Sequence, residues 1–146
     1  MSGANRTRNL SLMKKVESLH HCLERLRDKR PEDLGSLESD RDLQDILSVN
    51  LERAIQISVD VAAMILAKRQ LPVSNTMAGN FQGLSDVGIL SSSLSEKLQK
   101  SVGFRNISVH EYTRIDWALV FDLVHNHLTN FEEFIASVLK TDLTET

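Results

Sequence analysis

Residues 43–70 constrain the fold most. Leu43, Ile46, Leu47, Asn50, Ala54, Ile57, Val61, Met64 and Ile65 recur there at intervals of three and four, the spacing that places side chains on one face of an α-helix. Val59, Ala62 and Leu66 widen that stripe, so this helix is expected to be covered on two sides. Asn50, Arg53, Gln56 and Asp60 form a further polar row, either solvated or turned toward a neighbouring element.

The other long segments read the same way. Leu12, Val16, Leu19, Leu23 and Leu26 make an apolar stripe over Leu10–Arg30, which Pro31 ends. Ser93-x-x-Glu96 has the form of a capping box opening a helix with Leu94, Leu98 and Val102. Asp116 is placed to cap a last helix running unbroken to about Lys140, with Trp117, Val120, Val124, Leu128, Phe131, Phe134, Ile135 and Val138 inward. Glu32–Arg41 and Pro72–Gly83 read as loops, the first ending in a Ser39/Asp42 cap. A short helix over Phe81–Leu90 is expected to break at Gly88, and Gly103 to bend its helix or admit another backbone. The fold class is therefore all-α: an antiparallel bundle of four main helices with an additional short helix. Residues 1–146 are expected to make a single domain, with 1–8 and 141–146 as flexible tails.

The lone Cys22 excludes an internal disulfide and a cysteine-built zinc cluster, and fits a reduced, cytoplasmic setting. His20, His21, His125 and His127 diverge from one another on their helices and predict no metal site. No apolar run reaches membrane-spanning length. With a net charge of −3, any nucleic acid must meet a local basic cleft.

The chemistry is concentrated in Phe104-Arg105-Asn106-Ile107-Ser108-Val109-His110-Glu111-Tyr112, followed by Ile115-Asp116. Arg105 offers a planar fork of donors suited to phosphate. His110 exchanges a proton near neutral pH. Asn106 precedes it by one helical turn and shares its face. Lys97, Lys100 and Arg114 make the surroundings basic, and Arg53 is a candidate second cation. The bland alternatives are a buried salt bridge of Arg105 or His110 with Glu111 or Asp116, a plain exposed pair, and a packed Tyr112 ring with its hydroxyl bonded to a neighbour. Five residues of helix turn through about 500°, which leaves Arg105 and His110 about 140° apart. One copy of the chain does not readily aim both at one phosphate.

The string Arg105-Asn106-x-x-Val109-His110-Glu111-Tyr112-x-x-Ile115-Asp116 resembles the signature of the HepT-like toxins of the HEPN superfamily. These are small helical ribonucleases paired with a minimal nucleotidyltransferase antitoxin. The resemblance implies a HEPN-like fold and a metal-independent endoribonuclease toxin of a type VII-like toxin–antitoxin system. Arg105, His110 and Asn106 would be its catalytic residues, mRNA or tRNA its substrate, and a homodimer facing across a shared cleft its active form. It further implies that a cognate MntA-like nucleotidyltransferase transfers AMP from ATP onto Tyr112 to neutralise it. No cofactor is implied. The alternative is a non-catalytic helical subunit that binds substrate or nucleotide for a two-component nucleotidyltransferase.

Overall fold

The computed structural model describes residues 3–144, with side chains described over 10–141. Its elements are α1 (Gly3–Lys29), α2 (Leu34–Glu38), α3 (Arg41–Lys68), α4 (Met77–Asp86), α5 (Ser92–His110), a 3₁₀ turn (Tyr112–Arg114), α6 (Trp117–Asn126) and α7 (Leu128–Thr144), with no strand among the described residues.

α3 is the axis. Its buried residues come as adjacent pairs on successive turns, Ala54–Ile55, Ser58–Val59, Val61–Ala62 and Ile65–Leu66, so the apolar stripe is too wide for one neighbour to cover. α1 and α5 both run antiparallel to it. Lys15 reaches Asp60 at 3.4 Å while Cys22 lies by Arg53, so α1 rises as α3 falls. Ser108 donates to Glu52 and Tyr112 to Asp45, which sets α5 the same way. α7 closes the bundle: Phe134 meets Phe81 of α4 edge to face at 5.8 Å, and Arg27 of α1 pairs with Glu132.

Several local expectations need correction. The first helix begins at Gly3 rather than Leu10, so residues 3–8 are helical in backbone; Ala and Arg, both present there, are good helix formers. The side chains of residues 1–9 and 142–146 lie outside those described. Glu32–Arg41 holds a helical turn, α2, because Asp33 caps it by accepting from Ser36 N at 2.8 Å. The cap of α3 is Asp40, which accepts from Leu43 N, and Ser39 ends α2 instead. α4 starts inside the expected 72–83 loop, where Thr76 caps Gly79 N. It ends as expected near Gly88, whose φ of 81° closes a Schellman turn through Gly88 N to Ser85 O and Ile89 N to Leu84 O. The α5 cap is Ser91, two residues before the expected Ser93.

Two differences bear on the site. Gly103 admits no neighbour: α5 is continuous through it, and a Cβ there would meet nothing within 4 Å. The last helix is two helices, broken at His127, whose φ of −125° and ψ of 4° leave the helical region. The Asp122 carboxylate draws in the side chains of Asn126 and His127. The break lets α6 tie to the end of α1, through Arg30 to Val124 O at 3.3 Å and His125 to Pro31 O at 2.6 Å, while α7 turns into the core.

Urea unfolding should separate these features. Phe134→Ala, which removes a ring only 1% exposed, should cost about 3–5 kcal/mol. Gly103→Ala should stabilise by about 0.5–1 kcal/mol, since only helix propensity changes.

Candidate active site

The motif occupies the last turns of α5. Ser108 is buried and donates to Glu52 of α3, which fixes the rotation of α5 about its axis. With Ser108 inward, Asn106, Val109 and His110 are exposed and Arg105 is half-buried. His110 is the last helical residue; its ring makes no hydrogen bond with another described residue. The helix stays regular between Arg105 and His110, so the rotation of about 140° between them stands. The Arg105 side chain narrows it. Its Nη1 donates to Asn106 Oδ1 at 3.4 Å, which draws the guanidinium toward the face that Asn106 shares with His110.

Neither salt-bridge alternative forms. Glu111 accepts from Arg114 at 2.6 Å, and Asp116 accepts from Ala118 N and Leu119 N as the cap of α6. The chain leaves the helix at Glu111, with φ −140° and ψ 54°, and the 3₁₀ turn presents Tyr112 back toward α3. The phenol donates to Asp45 Oδ1 at 2.5 Å. Its ring meets Trp117 edge to face at 6.0 Å, yet the residue is 41% exposed. Tyr112 thus takes the packed, bonded form of the bland reading while staying reachable from solvent. Partial burial, the hydrogen bond to Asp45 and the Asp45 and Glu52 charges push its hydroxyl up to about 12, against a smaller opposing effect of Ser48.

The expected cations divide into three places. Lys97 and Lys100 are exposed and line a groove of about 360 Å³ with Phe104, Leu123, Asn130 and Phe131. Arg114 is committed to Glu111. Arg53 stands apart from the motif, in a cavity of about 810 Å³ with Lys14, Glu17, His20, His21, Cys22 and Glu24 of α1. Burial pushes the Cys22 thiol up and Arg53 pulls it partly back. Among the described residues no three His, Cys, Asp or Glu side chains stand close enough to hold a metal ion. His125 and His127 are used structurally, the first on Pro31 O and the Phe121 ring, the second on Asp122.

Asp45, Ser48 and Glu52 went unnoticed in the sequence. Their spacing of three and four on one helix face was the available signal.

The model of the family described as Ribonuclease HepT-like matches residues 19–138. The chain belongs to that family. A Shewanella oneidensis protein named mRNA nuclease HepT is 30% identical over 131 residues, which cover 90% of this chain and 97% of that one. Among solved structures, the tri-AMPylated Shewanella oneidensis HEPN toxin in complex with MNT antitoxin superposes with a TM-score of 0.82. It shares 31% identity over 89% of this chain and 96% of its own. YutE of Bacillus subtilis, a cytosolic protein of unknown function, shares the fold with a TM-score of 0.79 at 16% identity, over 94% of each chain. The helical bundle is therefore the HEPN-like one that the motif implied. No helix among the described residues is long and apolar enough to cross a membrane.

Tyr112 is the only tyrosine, so phenolate absorbance titrates it alone. The midpoint should lie at about 12 and fall in Asp45→Asn. A pKa raised on folding adds stability below the unfolded value of about 10. That contribution is lost as pH rises through about 12, so alkaline destabilisation across this window should weaken in Tyr112→Phe.

Proposed function

We propose that this chain is the ribonuclease toxin of a toxin–antitoxin pair, cleaving mRNA or tRNA without a metal. The observation that carries the proposal is the arrangement at the end of α5: an unengaged, exposed His110, Asn106 one turn before it on the same face, and the Arg105 guanidinium drawn to that face by Asn106. The 2′-hydroxyl of RNA is the nucleophile. Its attack on the adjacent phosphorus adds negative charge, which Arg105 meets with paired N–H donors. His110 moves a proton, to or from the 2′-oxygen or the leaving 5′-oxygen. Asn106 positions both side chains. The products are a 2′,3′-cyclic phosphate and a free 5′-hydroxyl. The nearby carboxylates are each committed, Asp45 to Tyr112, Glu52 to Ser108, Glu111 to Arg114 and Asp116 to its helix cap, which supports chemistry carried by the cation and the imidazole.

A second copy of the chain supplies the opposite proton-transfer group, so a homodimer with facing motifs is the active form. Exposed Val109 and Leu119, beside the motif, give that contact apolar area. Lys97 and Lys100 flank the approach for the RNA backbone. Regulation acts at Tyr112. An MntA-like nucleotidyltransferase transfers AMP from ATP onto its hydroxyl, two residues after His110, and the phosphate repels and occludes RNA. The Shewanella structure, tri-AMPylated and in complex with its MNT antitoxin, supports this reading.

RNA cleavage by the purified, unmodified protein in EDTA tests the proposal. Wild type should cleave, and Arg105→Ala and His110→Ala should each lose on the order of 10²-fold or more. Equal cleavage by all three would place the activity elsewhere. No cleavage by an unmodified wild type would favour a subunit that binds nucleotide for its partner.

A further inference from the structure

The Tyr112 hydroxyl has one carboxylate in hydrogen-bond contact. Asp45 Oδ1, on the second turn of α3, accepts from it at 2.5 Å across 67 residues of sequence. Other nearby acids are occupied, Glu52 by the Ser108 hydroxyl and Glu111 by Arg114. Ser48 faces the phenol from α3, and Trp117 of α6 meets the Tyr112 ring edge to face. Asp45 is itself exposed, as is Tyr112, so the pair is open to an incoming nucleotide.

We propose that Asp45 is the base that takes the phenolic proton when Tyr112 accepts AMP. The inference rests on the AMP-transfer reading above. In the step, Tyr112 Oη forms a bond to the α-phosphorus of ATP. The bond from that phosphorus to the oxygen bridging to the β-phosphate breaks, and pyrophosphate leaves with the electron pair. The proton passes along the existing hydrogen bond to Asp45 Oδ1. With its hydroxyl held up to about 12, Tyr112 is a neutral phenol at physiological pH and must shed this proton as it attacks. An aspartate placed on a hydroxyl nucleophile serves the same purpose in protein kinases. The modified chain thereby brings part of the transfer site to its modifying enzyme. Once esterified, Tyr112 Oη carries no proton and cannot attack again. Further AMP groups, such as those of the tri-AMPylated Shewanella toxin, must join elsewhere, and Asp45 acts on the first addition alone.

The test follows AMP addition by intact mass, using the unmodified full chain, an MntA-like nucleotidyltransferase partner, ATP and Mg²⁺. Asp45→Asn keeps an acceptor for the phenol but is no base. Its first addition should slow about 10²-fold in kcat with KM for ATP unchanged, while the interval from first to second addition stays at the wild-type value. Asp45→Glu should recover part of the rate. RNA cleavage by unmodified Asp45→Asn should match wild type, which reports a folded protein. A first addition at the wild-type rate in Asp45→Asn overturns the role of Asp45. Equal slowing of every addition, or a glutamate variant as slow as the asparagine one, overturns it too, pointing to partner docking. A wild-type chain that takes up no AMP, or takes it up equally as Tyr112→Phe, instead removes the modification reading and this inference with it.

Discussion

The structure depends on the burial of α3. A helix with paired apolar positions on successive turns cannot leave any broad face to water, so neighbours must gather around it. α1 and α5 lie antiparallel along it, and α4 and α7 complete the cover. Some of the polar positions of α3 then fall at the seams between helices. Asp45 and Glu52, seven residues apart and so nearly in line on the helix, lie along the α5 seam and receive Tyr112 and Ser108. The core thus decides where the acids of α3 can act.

The motif gains from standing where a helix ends. Ser108, bonded to Glu52, fixes the turn of α5, and that single angle determines that Asn106 and His110 face outward together. The loss of helix at Glu111 then swings Tyr112 away from the axis and back onto α3. Had the helix continued, Tyr112 would sit about 200° around from His110. The break brings Tyr112 and the exposed face of Asn106 and His110 to the same end of α5. Arg105 shows the opposite economy: its position on the helix is poor, and a long side chain with a neighbouring amide corrects it.

Regular elements were legible in the sequence because periodicity is a local property. The stripes over residues 10–30, 43–70 and 117–140 mark real apolar faces, and the motif stood out because its members are sequence neighbours. Ends were harder. Ser91, Ser92 and Ser93 are chemically equivalent candidates for one cap, and only the fold selects Ser91. The break at His127 changes one residue's backbone without disturbing the apolar pattern on either side, so the pattern could not show it. Asp45 and Glu52 were illegible as site residues for another reason. Their partners lie 67 and 56 residues away, and the register between two helices is set by the whole packed core.

The chain contains one tryptophan and one tyrosine, and their rings touch at the junction between the 3₁₀ turn and α6. In most proteins intrinsic emission averages over several indoles and reports global unfolding. Here Trp117 is partly exposed and rests against the only phenol of the chain. Its fluorescence is therefore a local signal: ionisation, displacement or esterification of Tyr112 alters the indole's immediate surroundings while the core stays folded. The protein carries its own optical readout of the state of this hydroxyl, free of any attached label.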